Sequence, residues 1–254
     1  PYIKKVVIED GVTAIGNYTF CGCSNLTEIS IPNSVTRLGD YAFSDCASLK
    51  SVVIPDSVTD IGYYLFNNCK SLTSVKMSKN VTNFQYTFNG CQSLEHFDIP
   101  DGATTFGYYV FSGTAIKSIE FPNSATSISD RTFYGMTDLT IRATTGSYAK
   151  LYADSMHYQF ESTGVFNHEG SCGNNVTFFL DSSTGVLTIS GTGKTSDYQN
   201  YPLSMPWALY RPYIKKVVIE DGVTAIGNYT FFGCSNLTEV SIPNSVTTLG
   251  NYAF

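Results

Sequence analysis

The sequence predicts an α/β-type solenoid: a β-rich superhelix of short strands and 3₁₀ or short helical turns, with a small β-hairpin capping module between two arrays. A 23-residue unit recurs in register, as Ile3–Asn25, Leu26–Ser48 and Leu49–Ser71 show. A single unit is too short and too sparsely apolar to shelter its own core, so its hydrophobic positions must be covered by the units above and below. A second period of 211 residues lies over the first, because Pro212–Phe254 repeats Pro1–Phe43 except at Cys21/Phe232, Ile29/Val240, Arg37/Thr248 and Asp40/Asn251.

Within the unit Leu26–Ser48, apolar residues fall at Leu26, Ile29, Ile31, Val35, Leu38, Ala42, Phe43 and Cys46. The L-x-x-I-x-I opening reads as a short strand with Ile29 and Ile31 on one side. Pro32-Asn33-Ser34 ends it, since proline cannot donate to a ladder and Asn and Ser favour turns. Val35–Leu38 is a second extended piece, closed by Gly39. Asp40–Phe43 is expected to form one helical or 3₁₀ turn with Asp40 as its N-cap. The units continue as Leu72–Ser93 and Leu94–Ala115, each of 22 residues, and Ile116–Asp138, making six in 1–138. Read across them, Phe20, Phe43, Phe66, Phe88, Phe111 and Phe133 form a column. Tyr18, Tyr41, Tyr64, Tyr86 and Tyr109 form another, and Cys23, Cys46, Cys69 and Cys91 a third, lapsing at Thr114 and Met136.

The pattern decays from Leu139, and residues 139–163 are expected to cap the array. Tyr148, Leu151, Tyr152 and Met156 have helical spacing, with Ser147 as N-cap. Residues 164–213 form a different module that serves as N-cap of the next array. Val176–Leu180 and Val186–Ser190 alternate about Asp181–Gly185 as a hairpin. A polar stretch, Gly191–Pro202, leads to Met205–Arg211, expected to form one or two helical turns. Trp207, the only tryptophan, is expected to plug the open first rung of the array starting at 214 and running to 254. The chain starts and stops in mid-pattern, as a piece of a longer series of such blocks would, and its raw ends suggest end-to-end association of chains.

The unit L-x-x-V-x-I-P-x-S-V-T-x-I-G-x-Y-A-F-x-x-C resembles the BspA-type leucine-rich repeat of large bacterial and protist surface proteins. GSYAKLYADSMHYQF resembles that family's closing segment, and NVTFFLDSSTGVLTISGTG with PWALYRPYIKKVVIEDGVTAIG the module that often precedes its arrays. The resemblance implies a right-handed leucine-rich-repeat superhelix, exported or on the cell surface. It also implies a non-enzymatic role in adhesion to host matrix proteins or other cells. The shortened fourth and fifth units and the loss of cysteine after Cys91 depart from the pattern. The family carries no shared binding signature to transfer.

Composition agrees. The chain of 254 residues is 43% apolar and 14% charged with net charge −6, which argues against a nucleic-acid partner. No apolar run is long enough for a membrane span. Gly191–Thr195 ends like a phosphate-binding loop but has Thr188 where a glycine is required. His168 and Cys172 lack the second ligand pair of a zinc site, and no G-x-S-x-G elbow exists; no cofactor is expected. The column cysteines suit small buried apolar positions as free thiols. Asn-x-Ser/Thr patterns at Asn17, Asn25, Asn80, Asn175, Asn228 and Asn236 follow from the repeat itself.

The tyrosine column is read as rung-on-rung packing at the core edge, with sugar stacking as the alternative. Tyr63 and Tyr108, just before that column, are the better candidates for exposed aromatics. Positions two, three and five of each unit should point out of a long parallel sheet, placing Lys5, Glu28, Lys50, Lys76, Glu95, His96, Asp98, Lys117 and Glu120 on a candidate binding face, basic at its start and acidic near Glu95–Asp98. A protein partner, from host matrix or another cell surface, is the leading expectation. A passive spacer and glycan binding through the tyrosines are the alternatives.

Overall fold

The computed structural model describes residues 2–199 and 204–254. The end of the polar stretch, residues 200–202, lies outside them. The chain divides into two compact units, one reaching to Ala143 and including Tyr152–Glu161, the other comprising Thr144–Leu151 and Ser162–Phe254.

In the first unit the repeats stack through three inter-rung ladders. The first pairs Lys5–Val7 with Glu28–Ser30, Ser51–Val53 with Ser74–Lys76, and Ser118–Glu120 with Thr140–Thr145, all parallel. The second joins Ala14–Ile15, Arg37–Leu38 and Asp60–Ile61, then Asn83–Phe84, Thr105–Phe106 and Ser127–Ile128. Alternation sets the faces: Ile29, Val52, Val75 and Ile119 point inward and are buried between exposed neighbours.

The third ladder replaces the expected helical turn. Asp40–Phe43 forms no helix, because Tyr41 has φ of 53°, as Tyr18, Tyr64, Tyr86 and Tyr109 have 54–58°. Left-handed backbone costs a non-glycine residue about 1–2 kcal/mol. Here it turns alternate N–H groups toward the next rung: Tyr18 donates to Asp40 O (2.8 Å), Phe20 to Ala42 O (2.9 Å) and Gly22 to Ser44 O (2.8 Å). The tyrosine rings stack on one another at centroid distances of 4.8, 4.6, 4.1 and 5.6 Å. Each hydrogen bond contributes about 1 kcal/mol and each ring pair about as much, which offsets the backbone strain. Asp40 caps no helix; its Oδ1 accepts the Tyr63 N–H, and Asn17 Oδ1 accepts that of Asp40.

The phenylalanine column is one continuous pile, with centroid spacings of 5.5, 5.5, 5.9, 5.7 and 5.3 Å from Phe20 to Phe133. Beside it the thiols of Cys46, Cys69 and Cys91 donate to the carbonyls of Phe20, Phe43 and Phe66 at 3.3, 3.1 and 3.1 Å. All seven cysteines are free. Burial pushes Cys46 and Cys91 up to about 12, so they stand as neutral thiols. Thr114, where cysteine lapses, bonds Phe111 O instead (2.8 Å).

The first ladder is not the long sheet expected from the pattern: it is interrupted between Glu28–Ser30 and Ser51–Val53 and again at unit five. Glu95–Ile99 forms no strand, and Ser118–Glu120 is an edge strand. In the inward column, unit five carries Phe97 where its neighbours have Val75 and Ile119. Its ring wedges between Phe88 and Phe111 at 4.7 and 5.6 Å. A phenyl group in a space shaped for a branched aliphatic residue displaces the backbone from its ladder.

The second unit holds a sheet in the order His168–Ser171, Val176–Asp181, Val186–Gly191, Lys216–Ile219, Glu239–Ser241. The expected hairpin is its antiparallel part, Val176–Asp181 on Val186–Gly191. Val186–Gly191 then pairs parallel with Lys216–Ile219, so one strand ends the hairpin and starts the array. Gly193–Lys194 pairs with Val223–Ile226. Tyr198 donates to Asn228 O (2.9 Å), and Asp197 Oδ1 accepts the Asn228 N–H (2.8 Å). Residues 186–198 therefore pair with the first rung of the second array along all three ladders without the repeat's sequence. Trp207 is fully buried and stacks on Phe231 at 5.8 Å, the place the phenylalanine column would occupy. The helical segment beside it is 3₁₀ and runs Ala208–Tyr213, later than expected. The helix after the first array runs Tyr148–Met156, and Ser147 Oγ accepts the Lys150 N–H (3.3 Å) as its cap.

Candidate functional site

The charged positions singled out above lie at the outward positions of units one to six, those of unit five off the ladder, and all nine are exposed. Several are tied to the neighbouring rung. Lys5 pairs with Glu28 (2.8 Å), Lys117 with Asp138 (3.0 Å) and Glu120 with Arg142 (3.0 Å). His96 pairs within its own rung with Asp98 (2.8 Å). Arg142 also reaches Glu161 (3.3 Å). Among the described residues Lys50, Lys76 and Glu95 make no salt bridge. Sequence spacing pointed to the first set but not to Arg142, which lies beyond the last regular unit where the register could no longer be read.

The interrupted ladder leaves an open groove of about 490 Å³ at units five and six, with His96, Asp98, Glu120 and Arg142 among its lining. A second groove, of about 440 Å³, lies where the second ladder breaks between Asp60–Ile61 and Asn83–Phe84, and Tyr63 lines it. Tyr63 and Tyr108 are 55% and 48% exposed. Both take the position that Asn17 and Asp40 fill elsewhere, which is why their rings have no place in the stack. Arg131 lies 5.9 Å over the Tyr108 ring.

The other motifs are absorbed by the fold. Gly193 N–H donates to Gly222 O (3.0 Å), Thr195 N–H to Ala225 O (3.1 Å), and Thr195 Oγ1 accepts from Gly227 N–H (2.8 Å). Gly191–Thr195 thus spends these groups on the array rather than on a phosphate. The His168 ring bonds Gly146 O (2.8 Å) and stacks on Tyr210 at 3.5 Å. No group of three or more His, Cys, Asp or Glu able to hold a metal occurs among the described residues. No helix among them is long and apolar enough to cross a membrane.

Stacked rungs of this length, with a leucine or isoleucine at the head of each unit and parallel ladders behind it, define a leucine-rich-repeat solenoid. The model of the BspA type leucine rich repeat region matches six copies, over residues 2–87, 84–158 and 207–254, and the chain belongs to this family. No curated protein matches it. Among solved structures it is similar to a leucine-rich repeat protein from Bacteroides ovatus, at 23% identity over 99% of this chain and 64% of that one, TM-score 0.39. It is also similar to a leucine rich cell surface protein from Faecalibacterium prausnitzii, at 23% identity over 61% and 63% of the two chains, TM-score 0.42. A leucine rich repeat protein of T. pallidum matches at 17% identity over 97% and 72%, TM-score 0.33. The chain therefore spans just under two thirds of the length of the first two.

Proposed function

We propose that the chain is a non-enzymatic, surface-displayed or secreted scaffold that binds a protein partner, from host matrix or another cell surface, through the outward face of its first ladder. The observation that supports this reading is the sorting of charge along that face. On units one to four exposed Lys4, Lys5, Lys50 and Lys76 outnumber Glu28, and on units five and six exposed Glu95, Asp98 and Glu120 outnumber Lys117. Charge laid out along a rigid surface steers association and fixes register more than it adds affinity. Family membership and the cell-surface description of one similar structure support the location.

A rigid spacer is the second reading. It is favoured by ion pairs that bridge successive rungs, such as Arg37–Asp60 (3.0 Å) and Lys216–Glu239 (2.6 Å). Surface plasmon resonance against matrix proteins and glycans separates the two. A partner whose binding falls about tenfold or more with Glu95→Lys plus Asp98→Lys, at unchanged melting temperature, upholds the binding face. A uniformly silent panel leaves the spacer.

A further inference from the structure

We propose that the groove at units five and six receives an arginine or lysine side chain from an extended segment of the protein partner. This deepens the binding reading above and rests on it. The groove exists because the first ladder fails there. The backbone N–H groups of Glu95–Ile99 donate to no other group among the described residues, and the edge of Ser118–Glu120 facing them is unpaired. Main-chain donors and acceptors of the kind that pair Ser51–Val53 with Ser74–Lys76 are therefore left for a ligand or for water.

The chemistry of the lining selects the ligand. Buried Phe97 and Phe121, with half-buried Ile99 and Pro122, supply an apolar floor. Three carboxylates stand at the rim: Asp98, Asp101 and Glu120. Among the lining residues Arg142 is already held between Glu120 and Glu161, the His96 ring is held by Asp98, and Asp101, which makes no salt bridge among the described residues, is the carboxylate left open. Apolar floor and anionic rim match a long aliphatic stem ending in a charge, the way lysine and arginine lie on protein surfaces, and an aromatic floor adds attraction for a guanidinium. An anionic ligand would meet three carboxylates and a guanidinium whose partners are already in place. The volume exceeds that of one side chain, so neighbouring residues of an extended segment fit with it.

Fluorescence anisotropy tests this with a labelled glycine-serine hexapeptide carrying two arginines, against the same peptide carrying citrulline, the neutral isostere. The arginine peptide is expected to bind at least about tenfold more tightly, and to weaken in about 0.5 M sodium chloride. Asp98→Asn with Asp101→Asn and Glu120→Gln should abolish the preference. These are exposed isosteric changes, and the single Asp101→Asn variant should weaken binding in the same direction if the triple variant melts early. Equal binding of the two peptides, an unchanged triple variant, or no binding up to about millimolar peptide overturns the proposal. If the groove variants are silent while charge changes elsewhere on the face, such as Lys50→Glu with Lys76→Glu, still alter binding to a matrix protein, the groove fails and the surface reading stands. If both sets are silent, both fail.

Discussion

A tyrosine forced into left-handed backbone is an unfavourable residue choice taken alone, and the array makes it seven times, the last two at Tyr229 and Tyr252. Single-residue propensity could not forecast this, because the compensation lies 23 residues away in the next ring and the next carbonyl. The cysteines show the converse: repeat logic alone asked for a small buried group at their column, and the structure adds that each thiol from Cys46 to Cys91 also serves as a donor. Burial raises Cys234 to about 11 and Cys172 to about 12, so these thiols are not nucleophiles at pH 8. Iodoacetamide on the native protein at that pH should therefore label Cys21 first, the one exposed cysteine, with the remainder reacting only in denaturant. Mass spectrometry reads the count, and comparable native labelling at Cys69 would contradict it. His168 carries a pH dependence of definite sign. Burial lowers its pKa below the ordinary histidine value, against the opposing pull of Gly146 O. The unfolded chain then binds the proton first, so stability present above about pH 6.5 is lost as pH falls below it. Thermal melts from pH 7.5 to 5 should decline for the native sequence and flatten in His168→Gln.

At the level of the rung, glycine before the Asn/Asp position is required by close approach. A Cβ on Gly39 would lie 2.6 Å from the Gly16 carbonyl carbon and as near to the Asn17 backbone, and Gly62 and Gly250 meet the same obstacle from the rung before. Gly39→Ala should destabilise the first array by about 1–3 kcal/mol, read as an earlier urea midpoint. An unchanged midpoint would mean that the rungs are not packed as closely as described. The same geometry explains why unit four could drop a residue. Its predecessor carries Tyr63, which offers no side-chain acceptor there, and the Gln85 N–H bonds Thr87 Oγ1 instead (3.2 Å). The unit's two strands and its stacked columns were legible because each leaves a period in the letters. The failure of the ladder at Glu95–Ile99 was not, since Phe97 satisfies the apolar pattern while exceeding its volume. Only the physical size of the side chain carried that signal.

On the scale of the chain, family and architecture could be read from repetition, and the charged face from strand alternation. The groove could not, because it depends on a missing pairing and on Arg142 from the irregular segment that follows. Nor was the turn at 186–198 recognised as one of the stack. Its faint signs were Leu187 and Ile189 standing for Val217 and Ile219, and Asp197-Tyr198 standing for Asn228-Tyr229. A census that counts turns by matching letters comes out one short at this junction. Because that uncounted turn is antiparallel on one side and parallel on the other, it works as an adaptor, turning a self-contained hairpin into a template on which a fresh stack can begin with its first edge already covered.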